Sequence, residues 1–417
     1  MPAGRLRLAA TAGADAWITG DATYSHFLQR FKRHTKFAIE TVETPFDGRV
    51  DFDGEVSCRV PVTKGDLIRN VALKIVLSDP TPDSPGKNDV YWTPSVISHL
   101  IEHADLLIGG QTVQRLTGEY IYMHQQLNNS FDDVDQSVYF LNGHGNFLRY
   151  SNGTYTYYMD LPFYFYRESS LAIPVCALTK QLVEVRIKLR PLNELIWYTT
   201  PADIPSGLTA KIANMSLDSE FVYVTPEERA YFMHKPINYT ITQLQMSQFK
   251  IPADETERSV MLKFAGPVKE MFFTSTSDRA VELNTPYDFN TIQRVRLRFN
   301  DEVVFDKTHK QLVYEQSLRN HVNSPLVRTT TMADTRSTTI GAGGFAYSLK
   351  SDFGMFSFAE YPDRAAPSGQ VNFSRIAHKL LTVNIDHLYA GHPSTVRVYA
   401  VSYNVLTIAA GLAGVKF

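Results

Sequence analysis

The chain has 417 residues and a mass of 47.1 kDa, and 44% of it is hydrophobic. That is enough for two cores of roughly 200 residues each and excludes a disordered chain. Lysine and arginine number 41 against 43 aspartates and glutamates, a net charge of -2, which excludes the basic excess of a nucleic-acid binder. Aromatic residues make up 12%, with 25 Phe and 22 Tyr, a bias toward packed β-structure.

The first residues, Met1 to Leu8, carry no apolar run of the secretory type. The longest weakly polar run, Val405 to Val415, falls short of the roughly 20 residues a membrane helix needs. Cys58 and Cys176, both in apolar surroundings, are too few for a disulfide framework or a cysteine-rich metal site. Two reduced core thiols in a reducing compartment are expected. The Asn-x-Ser/Thr strings at Asn128, Asn152, Asn214, Asn238 and Asn372 then read as chance.

Arg30-Phe-Lys32-Arg33-His34-Thr-Lys36 is the one basic cluster. Phe27, Phe31 and Phe37 interleave with it, so a packed segment with a charged outer face is expected over a nucleic-acid patch or localisation signal. Asp51-Phe-Asp53-Gly54 hints at a calcium loop. With Gly54 at loop position six, however, Arg49 and Val60 fall where oxygen ligands belong, so a turn is expected. Val71 to Leu77 alternates as a half-buried strand does. His99-Leu-Ile-Glu102-His103 matches the inverted zincin string. Zinc binding needs both histidines on one helical face. Here the string runs into a strand, where positions four apart lie about 13 Å from each other, and two ordinary histidines are expected.

Ala104 to Ile108 turns at Gly109-Gly110 into Gln111 to Leu116, a hairpin built on residues that accept positive φ. Thr154 to Tyr166 is strongly aromatic. Alternation sets Leu161, Phe163 and Phe165 on one face and Tyr164 and Tyr166 on the other, as in a core strand. Exposed, such rings would stack on sugars or bury into a partner subunit. Val183 to Leu189 alternates, and Pro201 to Leu208 has the Pro/Gly content of a linker. Thr225 to Met233 is the best helix, with Thr225 as N-cap and Pro226 at the first helical position. Arg296 to Phe299 turns at Asn300-Asp301 into Glu302 to Phe305. Gly341-Ala-Gly-Gly344 lies in a Thr/Ser/Gly-rich stretch and reads as a surface loop, and Val396 to Ser402 is a strand.

Three of these features recur in order. The turns at Gly109 and Asn300 are 191 residues apart (109 to 300), Phe163-Tyr-Phe165 and Phe356-Ser-Phe358 are 193 apart (163 to 356), and the strands at Val183 and Leu381 are 198 apart (183 to 381). A duplicated β domain is expected. Many short strands with Gly/Pro/Asn loops fit an all-β fold of two consecutive eight-stranded antiparallel jelly-roll sandwiches with few short helices.

Several strings together carry a resemblance. Ala12-Gly-Ala-Asp-Ala-Trp17-Ile-Thr-Gly20 and Phe31-Lys-Arg33-His34-Thr-Lys-Phe37-Ala-Ile-Glu40 open the chain. Ile108-Gly-Gly110-Gln111 precedes Gly118-Glu119-Tyr120, and Leu161-Pro162-Phe163-Tyr-Phe165 precedes Leu171-Ala-Ile-Pro174. Pro367-Ser-Gly-Gln-Val-Asn372-Phe-Ser374-Arg375-Ile376 and Tyr403-Asn404-Val405-Leu406 follow, with Gly411 to Gly414 and Phe417 at the end. The chain resembles the major capsid proteins of nucleocytoplasmic large DNA viruses of the iridovirus and chlorovirus type.

That resemblance implies a double jelly roll, divided as an N-terminal arm over residues 1–25, a first sandwich over 26–204 and a second over 205–417. It implies homotrimers of pseudo-hexagonal outline that tile an icosahedral shell over an internal membrane. Minor capsid and penton proteins are the implied partners, the arm is the implied membrane contact, and assembly takes place in the host cytoplasm. No sequence-specific nucleic-acid binding is expected. No catalytic, cofactor or metal residues are assigned, because no Ser/His/Asp, Cys/His or paired-carboxylate set has local support. Two other readings compete: a carbohydrate-binding or carbohydrate-cleaving sandwich using the aromatics from Tyr155 to Tyr166, and a metallohydrolase using His99, Glu102 and His103.

Overall fold

The computed structural model describes residues 2–10, 12–29, 31, 33–78, 90–93, 95–128, 154–198, 210–322, 327–330, 347–350 and 353–417. The chain divides into two units, Met1–Phe37 and Ala38–Phe417. The first contains helices α1 (Ala3–Ala9) and α2 (Gly13–Thr19), neither of which buries a residue. Asp15 fastens the start of α2, its carboxylate accepting the Ala12 N–H at 3.0 Å. The expected packed segment is not formed there: Phe27 is 97% and Phe31 83% exposed.

Among the described residues of the second unit, sixteen of the 22 strands form the backbone of four main sheets. Eight come first: β1 (Phe37–Pro45), β2 (Glu55–Arg59), β3 (Leu67–Ser78), β4 (Ile101–Ile108), β5 (Gln111–Thr117), β6 (Thr154–Asp160), β7 (Val183–Leu189) and β8 (Ile212–Val224). Eight more follow: β9 (Ile237–Ile251), β10 (Glu257–Met261), β11 (Pro267–Ser277), β12 (Thr291–Phe299), β13 (Glu302–Thr308), β14 (Gly354–Ser357), β15 (Lys379–Asp386) and β16 (Ser394–Ala409). The sheet orders are β1-β8-β3-β6 and β2-β7-β4-β5, then β9-β16-β11-β14 and β10-β15-β12-β13. Adding eight to every strand of the first pair gives the second pair, so one jelly-roll winding occurs twice. The duplicated all-β fold is therefore as expected from the sequence. β8 pairs with β3 from Ile212 opposite Leu77 to Val222 opposite Leu67, so a strand beyond the boundary expected at 204/205 completes a sheet of the first sandwich.

Both hairpins form where turn chemistry places them. Gly109 and Gly110 have φ of 61° and 79°, and Asn300 and Asp301 have 47° and 73°, the doubly left-handed turn whose twist matches the flanking strands. Each hairpin is followed by a helix that the strand pattern did not reveal. After β5 comes α4 (Gly118–Asn128), and after β13 a π turn, Gln311–Glu315, runs into Gln316–Asn320. A short helix, α3 (Val96–Leu100), leads into β4. The helix at Pro226–His234 forms with its Thr225 hydroxyl accepting the Glu228 N–H at 3.4 Å.

One strand expectation fails. β6 ends at Asp160, and residues 164–167 form a turn, so Phe163, Tyr164 and Phe165 are all buried instead of alternating. The counterpart of β14 is accordingly β6 and not the Phe163 segment. The Pro201 to Leu208 linker and the Gly341 to Gly344 loop lie outside the described residues.

The packing explains why the second sandwich reads poorly as a simple alternation. The even-numbered core positions of β16, Val396, Val398 and Ala400, join Met271 and Phe273 of β11 in the second sandwich's own core. The intervening residues, Tyr399 and Val401 with Phe272, join the core of the first sandwich. The β9-β16-β11-β14 sheet is thus covered on both faces, and a strand buried on both sides loses its polar alternation.

Candidate functional site at the seam between the sandwiches

Helix α4 sits at the seam because its first residue is glycine. A Cβ on Gly118 would lie 2.0 Å from the Ser98 carbonyl oxygen and 2.2 Å from that of Ile101. Only a bare backbone approaches that closely. The approach sets Glu119 against the second sandwich. Arg397 Nη1 on β16 donates to Glu119 Oε2 at 2.9 Å and to Thr276 Oγ1 at 3.3 Å. The Thr274 hydroxyl donates to Glu119 Oε1. The Glu119 charge, more than any other influence, raises the Arg397 pKa. Tyr120 meets Phe272 edge-on at 5.9 Å, and Tyr122 stacks on Tyr287 with centroids 3.9 Å apart and planes 6° apart. Gly118-Glu119-Tyr120 is therefore a seam motif.

Polar contacts extend the seam along both sides. Asn284 Nδ2 donates to the carbonyls of Asn193 and Ile196, each at 2.6 Å. Gln243 Nε2 donates to the Val113 carbonyl at 2.9 Å, and Gln181 Oε1 accepts the Ala413 N–H at 2.6 Å. A small cleft beside Asn284 and Arg397 is lined by His99, Arg190, Glu194 and Tyr287 among others. Burial and the Arg190 charge lower the His99 pKa to about 3.

At the other end of the seam, His321 lies between Glu270 and Asp363. Burial opposes its protonation, but hydrogen bonds to Asp363 and Glu270 outweigh burial and raise its pKa to about 9. Burial acts against the Glu270 charge as well, and Lys269 and His321 bring its pKa down to about 2.

Two further strings of the resemblance, Pro367 to Ile376 and Tyr403 to Leu406, act as structural clasps. In Pro367 to Ile376, the Asn372 side chain accepts the Ser374 N–H at 3.0 Å. Ser374 Oγ accepts the Gly266 N–H at 2.8 Å. Phe373 is fully buried between Phe264, Phe299 and Phe358. Asn404 holds the last residue, donating to the Phe417 carbonyl at 2.6 Å and to Gln243 Oε1 at 2.8 Å.

The sequence candidates for chemistry are dispersed. His99 lies on the Val96–Leu100 helix, whereas Glu102 and His103 are on β4 and Glu102 points to solvent. Among the described residues no group of three or more His, Cys, Asp and Glu is placed to hold a metal ion. Asp53 takes φ 60° in a turn, where Lys188 reaches its carboxylate at 3.1 Å. The aromatic run offers no sugar platform: Tyr157 and Tyr164 are buried, and Tyr158 at 39% is the run's only strongly exposed ring among the described residues. Cys58 and Cys176 are free and buried.

The comparisons agree with this geometry. A family model described as the major capsid protein N-terminus matches residues 25–225. The chain is 27% identical over 426 residues to a major capsid protein of Pyramimonas orientalis virus, and 25% identical over 463 residues to one of Paramecium bursaria Chlorella virus 1. Both alignments span all of each chain. Among solved structures, a chain of the PBCV-1 virus capsid superposes with a TM-score of 0.74 at 19% identity, covering 94% of this chain and 100% of that one. The Faustovirus major capsid protein superposes with a TM-score of 0.71 at 11% identity, covering 96% and 94%. At such identities the structural likeness speaks for the fold.

Proposed function

Because the chain belongs to the major capsid proteins of nucleocytoplasmic large DNA viruses, we propose that its working unit is a homotrimer that tiles an icosahedral shell. It is a structural capsid protein of the virion and not an enzyme. The observation that carries the trimer is the repeated winding. Two sandwiches of one strand order, fixed to each other by a seam, present six similar blocks when three copies close a ring, which is a nearly hexagonal tile. A net charge of -2 opposes self-association little. We place the division between the sandwiches at the Pro226–His234 helix, after β8 has closed the first.

The finer partners follow from the N-terminal unit. Trp17, Ile18, Leu28 and Phe31 are exposed there, alongside Arg5, Arg7 and Arg33. Apolar and basic side chains together suit a contact with an anionic membrane inside the shell. Minor capsid and penton proteins would join the lattice at its edges and vertices, with assembly in the host cytoplasm.

Light scattering of the purified chain tests the trimer. A mass near three times 47.1 kDa, with hexagonal outlines in electron micrographs, is expected. A monomer that forms no ordered array at any concentration would sink the reading. Removing residues 1–36 should leave the trimer intact and abolish co-sedimentation with phosphatidylserine vesicles. Equal co-sedimentation of both forms would remove the membrane role of the arm.

A further inference from the structure

His321 has both ring nitrogens directed at carboxylates. Nε2 is 3.1 Å from Glu270 Oε2 on β11, and Nδ1 is 2.6 Å from Asp363 Oδ1 in the loop after β14. Nδ1 also lies 3.0 Å from Asn128 Oδ1, at the end of α4 in the first sandwich. The His321 and Glu270 side chains are 2% and 4% exposed. A neutral imidazole carries one N–H and would turn a lone pair toward one of the two carboxylates. Only the imidazolium donates to both.

The charges around the ring balance in that state. From β11 come Glu270 and Lys269, whose Nζ is 3.4 Å from Glu270 Oε1 and donates to the Pro362 carbonyl at 2.7 Å. From the loop comes Asp363. From α4 come Tyr120 and His124, and burial together with the His321 charge lowers the His124 pKa to about 3, so it stays neutral. Arg167 acts on His124 from the turn beyond β6. Two carboxylates are thus matched by Lys269 and protonated His321. Removing the His321 proton leaves one carboxylate without its partner cation, Glu270 keeping Lys269 and Asp363 standing at 34% exposure, and sets an acceptor facing an acceptor.

We propose that His321 is a proton-operated latch on the seam: protonated, it fastens the end of α4 and the Asp363 loop to β11, and deprotonated, it releases them. The group is raised from 6.5 to about 9 in the folded chain. Its contribution is therefore complete below pH 6.5 and lost as the pH climbs through 9. Glu270, lowered to about 2, is ionised throughout that window and adds no slope to it.

Hydrogen exchange of the full-length protein at pH 6.5 and 9.5, corrected for intrinsic rates and read by mass spectrometry, tests the latch. Wild type should lose protection by about tenfold or more in peptides covering Gly118–Asn128 and 354–364, with β2, β4 and β7 unchanged. His321→Gln, which cannot titrate, should show one level of protection at both pH values. Asp363→Asn removes one carboxylate partner and should move the wild-type transition to lower pH; it also serves if His321→Gln fails to fold. Equal pH-dependent losses in wild type and His321→Gln overturn the proposal. So do a loss spread evenly over all sheets and an unmoved transition in Asp363→Asn.

Discussion

Arg397 and Glu119 stand 278 positions apart in the chain and meet at 2.9 Å across the seam. Their side chains are 26% and 13% exposed, so each charge depends on the other for most of its solvation. Truncating one partner of such a pair strands the other, at a cost of about 3–5 kcal/mol, whereas replacing both with apolar groups costs far less. Arg397→Ala should therefore lower the unfolding free energy by about 3 kcal/mol in urea titrations. The double variant Glu119→Leu, Arg397→Met should recover most of it. A double variant as unstable as the single one would mean that the pair is not the unit of stability.

Gly118→Ala should be as damaging by a different route. The added methyl would stand 2.0 Å from the Ser98 carbonyl and 2.2 Å from that of Ile101, both backbone atoms that cannot swing aside. Overpacking of this kind costs about 1–3 kcal/mol, and α4 would have to move off its seat. Glu119 and Tyr120 would be carried away from Arg397 and Phe272, so the loss should not add to that of Arg397→Ala in a double-mutant cycle. Strict additivity would show that Gly118 acts on something other than the seam.

Much of this was legible in the sequence, for identifiable reasons. The two hairpins were readable because Gly109-Gly110 and Asn300-Asp301 need positive φ, a local requirement. β7 was readable to the residue because its two faces meet different surroundings, core and water. β11 and the middle of β16 were not, since β11 is buried on every residue but Pro267, and β16 alternates at its two ends but is buried without a break from Val398 to Asn404. The Phe163 to Phe165 turn was misread for the opposite reason: aromatic residues that look like a strand can also plug a core from a turn. The seam was invisible to composition. Glu119, Arg397, Glu270 and His321 are ordinary charged residues until the fold brings two distant segments together. The faint signal was Gly118-Glu119-Tyr120 itself, a glycine at the junction of a strand pattern and a helical stretch.

The two cysteines give a direct reading of core integrity. Burial, with Asp47 nearby, raises the Cys58 thiol to about 12, and burial with Asp66 raises Cys176 to about 11. The thiolate is the reactive form. Native protein at pH 8 should therefore give almost no reaction with a thiol reagent such as DTNB, and two equivalents after unfolding in guanidinium. Rapid labelling of the native chain would mean that one of the sandwiches opens locally.

The acid side of stability should be governed by a different histidine from the alkaline side. His99 lies at the cleft, edge-on to Tyr287 at 5.9 Å, and burial with the Arg190 charge lowers its pKa to about 3. The folded chain keeps this imidazole neutral while the unfolded chain protonates it near 6.5. Its contribution is thus present above pH 6.5 and declines as the pH falls toward 3. At pH 5 the deficit is about 1–2 kcal/mol. His99→Gln should reduce, without abolishing, the fall in unfolding free energy between pH 6.5 and 4.5, because His124, also lowered to about 3, adds a parallel decline there. Above pH 6.5 the same variant should behave as wild type, because the loss there belongs to His321. An unchanged acid limb in His99→Gln would mean that the cleft admits enough water to hold the charged ring.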